Sequence, residues 1–381
     1  MSAIPHDLIL RGARLIDPSQ HLDEVTDIRF TDGRVSAIGP ALAPDARTEV
    51  RDLSGKVVTP GLIDLHTHVY VGGTSIGVDA VALARSSATA TFVDAGTAGP
   101  ANFAGFRSHV IEPAMPVRIL PLINLSFAGI FAFSNTVMMG ECEDLRLLDM
   151  RECVRVAREH RDLIVGVKVR VGRGASGRSG IAPMDMALEV AQELDLPLMA
   201  HLDHPPPSRL EVMSRLRKGD ILTHCFRPFP NAPSMPGGGV RPEVAAARER
   251  GVIFDIGHGG GSCGFATCRA MLEADFKPDV ISSDVHSISI NGPAFDLLHT
   301  LAKFHTLGMS LPEVIAAATV NAAQAIRRPE LGTLRVGSLG EASIIEVIES
   351  PTEYRDVMGE VIQGALRFKA HGLVFNGRWW T

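Results

Sequence analysis

Eight strand-like apolar runs, separated by helix-compatible stretches, limit the possible folds of this chain more than any other feature. The runs lie at 59–68, 89–95, 117–125, 164–171, 196–202, 221–225, 252–256 and 280–284. Between them sit stretches of helical character, among them 144–160, 183–194 and 241–250. Units of roughly thirty residues repeated over about 270 residues predict an α/β fold, a closed (β/α)8 TIM-like barrel. An open doubly wound sheet is the alternative, but no Gly-x-Gly-x-x-Gly follows the first run.

The two ends read differently. From 8 to 58 the chain is short strands broken by turns, and Asp32-Gly33 between two alternating runs predicts a hairpin. After the eighth run come two helical stretches, 294–307 and 311–326, and then β character returns at 342–347 and in the tail. The chain is therefore expected to divide into a barrel over 59–332 and a small β-sandwich module over 1–58 and 333–381.

Composition excludes some partners. A net charge of -6 gives no electrostatic reason to bind nucleic acid or an anionic membrane. Five cysteines without paired spacing fit free thiols in a reducing compartment. Residues 1–7 carry no basic segment followed by an apolar run, and no apolar stretch is long enough to span a bilayer. A soluble, cytoplasmic protein is expected.

In a barrel, functional groups sit at the C-terminal ends of the strands. There the first run ends in His66-Thr67-His68, whose alternation puts Asp64, His66 and His68 on one face. The fourth places Lys168 and Arg170 on one face. The fifth ends in His201, the sixth in His224 and the eighth in Asp284. Neutral imidazoles with a carboxylate suit a borderline divalent metal such as zinc. Lys168 suits a cation site only as an anionic carbamate, and a lysine paired with a barrel carboxylate is the other reading.

His66-x-His68, Lys168, His201, His224 and Asp284, in that order, resemble the amidohydrolase superfamily with a binuclear metal centre. The lead-in 58–64 and the phrase 332–337 agree, and 167–170 with 282–287 resemble its dihydroorotase-like amidohydrolase/deacetylase branch. The resemblance implies two divalent ions, expected as zinc. His66, His68 and Asp284 would hold one and His201 and His224 the other, with Lys168 as a carboxylated lysine between them. It further implies a metal-bridged hydroxide as nucleophile and Asp284 as catalytic base and then acid. Deacetylation of a small carboxylate-bearing N-acyl amino acid or O-acyl α-hydroxy acid follows as the expected reaction. Arg170 is the expected carboxylate anchor, with His258 and His286 as further substrate contacts. His204 and Arg227 are expected behind the ligands or at the surface. The apolar stretch 127–139 is either a cap on the pocket or a subunit contact. The expected partner is a small anionic molecule, and the chain is expected to be a homo-oligomer. The rivals are a cyclic amide hydrolase and a catalytically silent scaffold.

Overall fold

A computed structural model describes residues 7–228 and 230–380. Residues 1–6, searched above for a leader, and Thr381 lie outside them. The strands fall into two sheets. β1 (Asp7–Asp17), β2 (Leu22–Thr31), β3 (Arg34–Gly39), β4 (Thr48–Asp52) and β5 (Val57–Pro60) belong to the first. The second consists of β6 (Leu62–Thr67), β7 (Thr89–Ala95), β8 (Arg118–Asn124), β9 (Gly166–Val171), β10 (Leu198–Leu202), β11 (Ile221–Leu222) and β12 (Ile253–Phe254), all parallel and in chain order. β13 (Ala342–Arg355), β14 (Val361–Phe375) and β15 (Arg378–Trp380) return to the first.

That first sheet runs in the order β15-β14-β13-β5-β1-β2-β3, with β4 beside β1. Both chain ends thus share one hydrogen-bonded sheet of eight strands, where a two-sheet sandwich was expected. The predicted hairpin is present, with Thr31 opposite Arg34 and Asp32 and Gly33 at φ 50° and 78°. Positive φ at both central residues matches the twist of the flanking strands, which is why Asp-Gly is found there. The run expected as one strand over 59–68 is two. Thr59 and Pro60 pair with Ser343 and Ala342 in the end sheet, while Leu62 onwards enters the barrel. Gly61 is the joint, and a Cβ there would stand 2.9 Å from that of Ala90.

The seven parallel strands curl until their edges meet residues 280–285. Asp255 bridges to Val280 and Thr67 to Val285, and the amide of Asp284 bonds the carbonyl of His66 at 2.7 Å. The expected eighth strand closes the sheet without forming a regular ladder. Inside, Ile63, Leu65, Val93, Leu120, Leu122, Met199, Ile221 and Val280 form one buried cluster, the filled interior of a barrel. Outward-facing residues such as Phe92, Val167, Val169 and Ala200 join the larger core under the helices. Each fully buried side chain of leucine size contributes about 1.5–3 kcal/mol.

The helices follow the same logic. Met150–Glu159 starts where the Asp149 carboxylate accepts the amides of Arg151 and Glu152, and it buries Cys153, Val154, Val156 and Ala157. Among the described residues, no helix is long and apolar enough to cross a membrane. All five cysteines are buried and free.

Candidate metal centre

The six residues picked as ligands, His66, His68, Lys168, His201, His224 and Asp284, line one cavity at the C-terminal end of the barrel. Arg170 and His286 line it too, and Ile76, Ile130 and Phe133 form an apolar wall. The cavity itself encloses about 40 Å³, room for a few water-sized groups, and it shares Phe133, Arg170, His201, Asp284 and His286 with a larger groove above it.

Strand register explains most of this placement. Lys168 lies opposite Met199 and Arg170 opposite His201, so these groups share the inner face. β6 breaks the alternation. Asp64 opposes Phe92 and Thr67 opposes Asp94, three steps on one strand against two on its neighbour. That bulge puts Asp64 on the face of Thr67 and off the face of His66. Asp64 is buried and accepts from the Ser283 amide and hydroxyl. The expected common face holds for the two histidines alone.

His224 and Asp284 adopt left-handed backbone, at φ 60° and 48°. For residues other than glycine this costs about 1–3 kcal/mol and tends to occur where function demands it. It is also why the sixth and eighth runs stop short as strands. Glycines make the room. A Cβ on Gly259 would lie 2.2 Å from Asp284 Oδ2, and one on Gly257 would lie 2.3 Å from Thr223 Oγ1. These two glycines bring backbone against Asp284, His224 and His66 themselves.

Three of the four imidazoles, those of His66, His68 and His224, are oriented from behind. The Thr223 hydroxyl donates to Asp255 Oδ2 at 2.7 Å, so it accepts from His66 Nδ1, also at 2.7 Å. Thr97 stands in the same way between Asp94 and His68 Nδ1, 2.8 Å from the ring. His224 Nδ1 donates to the carbonyl of Gly257 at 2.7 Å. With Nδ1–H committed, the lone pair of each of these three rings is left on Nε2.

Those lone pairs converge. His66 Nε2 and His68 Nε2 each lie 3.3 Å from Asp284 Oδ1. Neither makes a hydrogen bond to it, and Asp284 Oδ1 and His201 Nε2 are buried without any partner. Adjacent ligands of one tetrahedral ion stand roughly 3.3 Å apart for bonds of about 2.05 Å. Ligand atoms of His66, His224 and Asp284 all fall within 4.8 Å of one another. This trio draws on both of the ligand groups that the resemblance implied, so the two groups interleave. The donor set fits a divalent cation.

The electrostatics agree. Burial pushes Asp284 up to about 6 against the pull of nearby cationic groups, and Asp255 up to about 6 as well. Burial also holds His66, His68, His201 and His224 well below the ordinary histidine value. Lys168, fully buried, is pushed down to about 7 by burial, with Asp284 pulling the other way. Its Nζ rests 3.3 Å from Met199 Sδ. An amine neutral near physiological pH is a nucleophile more than a cation.

Several expectations are revised. Arg170 is held by Glu141, Nη1 to Oε2 at 3.0 Å, with the Phe133 ring 4.9 Å from its Cζ. Glu141 is buried and had no signal in the sequence. His258 turns away from the cavity. Its Nε2 lies 2.8 Å from Lys303 Nζ, which also donates to the carbonyls of Pro293 and Arg355. His286 does reach the cavity. Its Nδ1 accepts from the Ile288 amide at 3.2 Å and burial lowers it to about 4, so the ring is neutral with its proton on Nε2. Arg227, expected behind the ligands or at the surface, lines a wider groove with His204, Arg170, His201, Asp284 and His286. The stretch 127–139 supplies Ile130 and Phe133 to the cavity and Met138 and Met139 to that groove. Thr97, Thr223 and Asp255, which orient the rings, were not singled out; the threonine directly before His224 was their one visible trace.

Comparison with known proteins points the same way. Residues 57–379 match the model of the amidohydrolase family. A deacetylase of Brucella anthropi is 35% identical over 343 residues, 90% of this chain and 84% of the relative. A deacetylase of Agrobacterium fabrum is 34% identical over 330 residues, 87% of this chain and 80% of the relative. A crystal structure of a dihydroorotase superposes with a TM-score of 0.90 at 30% identity, covering 99% of both chains.

Proposed function

This chain belongs to the amidohydrolase family of hydrolases, and from that premise we propose that it is a metal-dependent deacetylase. Its substrate is a small carboxylate-bearing N-acyl amino acid or O-acyl α-hydroxy acid. The observation that carries the reading is the set of converging, unpartnered donors around Asp284 Oδ1 and His201 Nε2. Family members generally bind divalent metals, and here His66, His68, His201, His224 and Asp284 would hold them, with Lys168 as a carbamate. Its neutral amine is the form that adds to carbon dioxide. When bound, the metals supply Lewis acidity that polarises a carbonyl and acidifies water.

The chain's own residues do the rest. The Asp284 carboxylate takes the proton of the attacking water and passes it to the leaving nitrogen or oxygen. His286, with its proton on Nε2, donates to a substrate oxygen. Phe133, Ile130 and Ile76 keep bulk water off the reacting group. Thr223 with Asp255, and Thr97 with Asp94, hold His66 and His68 in one tautomer and one orientation.

The deacetylases, 35% and 34% identical over most of this chain, support acetyl transfer to water. Cyclic amide hydrolysis is the second reading, favoured by the structural match to a dihydroorotase. One screen separates them. N-acetyl amino acids of both hands and O-acetyl α-hydroxy acids are assayed for acetate release beside cyclic ureides for ring opening. Chelator-sensitive acetate release is the expected result; ring opening without acetate release would transfer the assignment to the second reading.

A further inference from the structure

We propose that Arg227, and not Arg170, binds the substrate carboxylate. The inference rests on the reading that the substrate is an acyl-bearing acid, and it assigns the part of the groove that reads the acid.

Three guanidinium groups line the groove over the metal ligands: Arg170, Arg173 and Arg227. Their circumstances differ. Arg170 is already ion-paired to buried Glu141 at 3.0 Å and faced by Phe133, so its charge is spent within the protein. Arg173 is exposed and donates to the carbonyl of Pro205 at 3.0 Å, where water screens it. Arg227 is part-buried, and among the described residues no carboxylate lies within ion-pairing distance of it. Its Nη2 donates to Ser262 Oγ at 2.7 Å. Nε is buried without a partner, and among the described residues no group accepts from Nη1.

A guanidinium removed from water without an anion is costly, and a ligand carboxylate lifts that cost with charge-assisted hydrogen bonds. The position is right for the chemistry. Arg227 follows His224 by three residues and shares the groove with Asp284, His201 and His286. Ser262, itself buried, ties the guanidinium to the loop after β12. An acid seated on Arg227 can lay its acyl oxygen or nitrogen toward Asp284, with its side chain against Phe133, Met138 and Met139. Glu141, by fixing Arg170, keeps that second cation from competing.

The test is equilibrium binding, independent of turnover. Racemic phenyllactate and its neutral amide, phenyllactamide, are titrated by calorimetry into the zinc-loaded protein and into R227M, R227K and R170M. The apolar wall is the reason for the phenyl group. The wild type is expected to bind the acid more tightly than the amide. R227M is expected to weaken the acid about tenfold or more and leave the amide within about twofold, with R227K restoring part of the loss. R170M is expected to change the acid by less than R227M does. An R227M variant that binds the acid like the wild type overturns the proposal. So does equal loss of acid and amide, which would mark a structural role, a larger loss in R170M, or a wild type that does not prefer the acid. If the substrate screen releases no acetate while the R227M result stands, deacetylation fails and the anion site survives.

Discussion

Asp7 in the end sheet and Asp284 at the barrel mouth are each 7% exposed, yet they sit in opposite states. Asp7 accepts from the Arg29 guanidinium and from the hydroxyls of Thr31 and Thr48. Burial alone would raise its pKa, but these hydrogen bonds outweigh it and bring it down to about 2. At Asp284 burial prevails, the pKa rises to about 6, and Oδ1 has no hydrogen bond. The same contrast separates the buried charges of the two sheets. Where a buried charge serves the fold, the chain supplies its partners. At the barrel mouth Asp284, His201, Arg227 and Glu141 each keep a buried atom unpartnered. A folded chain bears such a cost where something from outside completes the set.

Breaking the contrast at its centre should have the largest effect. Asp284→Asn keeps shape and removes the proton acceptor, so hydrolysis should fall by about 10²–10⁴-fold with little change in Tm. Near-normal turnover in that variant would remove Asp284 from the mechanism. One step back, Gly259→Ala sets a methyl 2.2 Å from Asp284 Oδ2 at a φ of 52°. A loss of about 10–100-fold in kcat is expected, and a fully active variant would show that the carboxylate position is not critical.

The end sheet gives the opposite pattern. Asp7→Asn should cost about 1–3 kcal/mol of stability and leave kcat unchanged, as read by denaturant unfolding beside an assay. The pH dependence has a definite sign. Asp7 has a folded pKa of about 2 against an ordinary carboxylate value of 3.8. Its stabilisation is therefore complete above about 4 and is lost as pH falls toward 2. The variant should lack that part of the acid-induced loss. Least of all, Phe133→Ala opens the wall beside Arg170 and should raise KM a few-fold, by about 1 kcal/mol, with kcat nearly intact. A pure kcat effect would instead place Phe133 in the chemistry.

The strand-end histidines, Lys168 and Asp284 were legible because barrel topology sends strand ends to one place, and residue type then names the chemistry. The β2–β3 hairpin was legible because Asp-Gly has few other uses. Asp64 was misplaced because alternation along a strand assumes no bulge, and register is set by the neighbouring strand. His258 was misjudged for a related reason: whether it faces the cavity or Lys303 depends on a helix 45 residues later in the chain. The pairing of Arg170 with Glu141 spans 29 residues and leaves no local trace. Sequence located the charges; which of them the fold itself satisfies required the structure.

Zinc binding tests the central claim most directly. Chelator-stripped protein is dialysed to equilibrium with zinc under ambient carbon dioxide, and bound metal is counted by elemental analysis in the wild type, His201→Ala and Asp7→Asn. Two ions per chain are expected in the wild type and in Asp7→Asn, with fewer in His201→Ala. A wild type that binds none, or a His201→Ala variant that binds as the wild type does, would contradict the account.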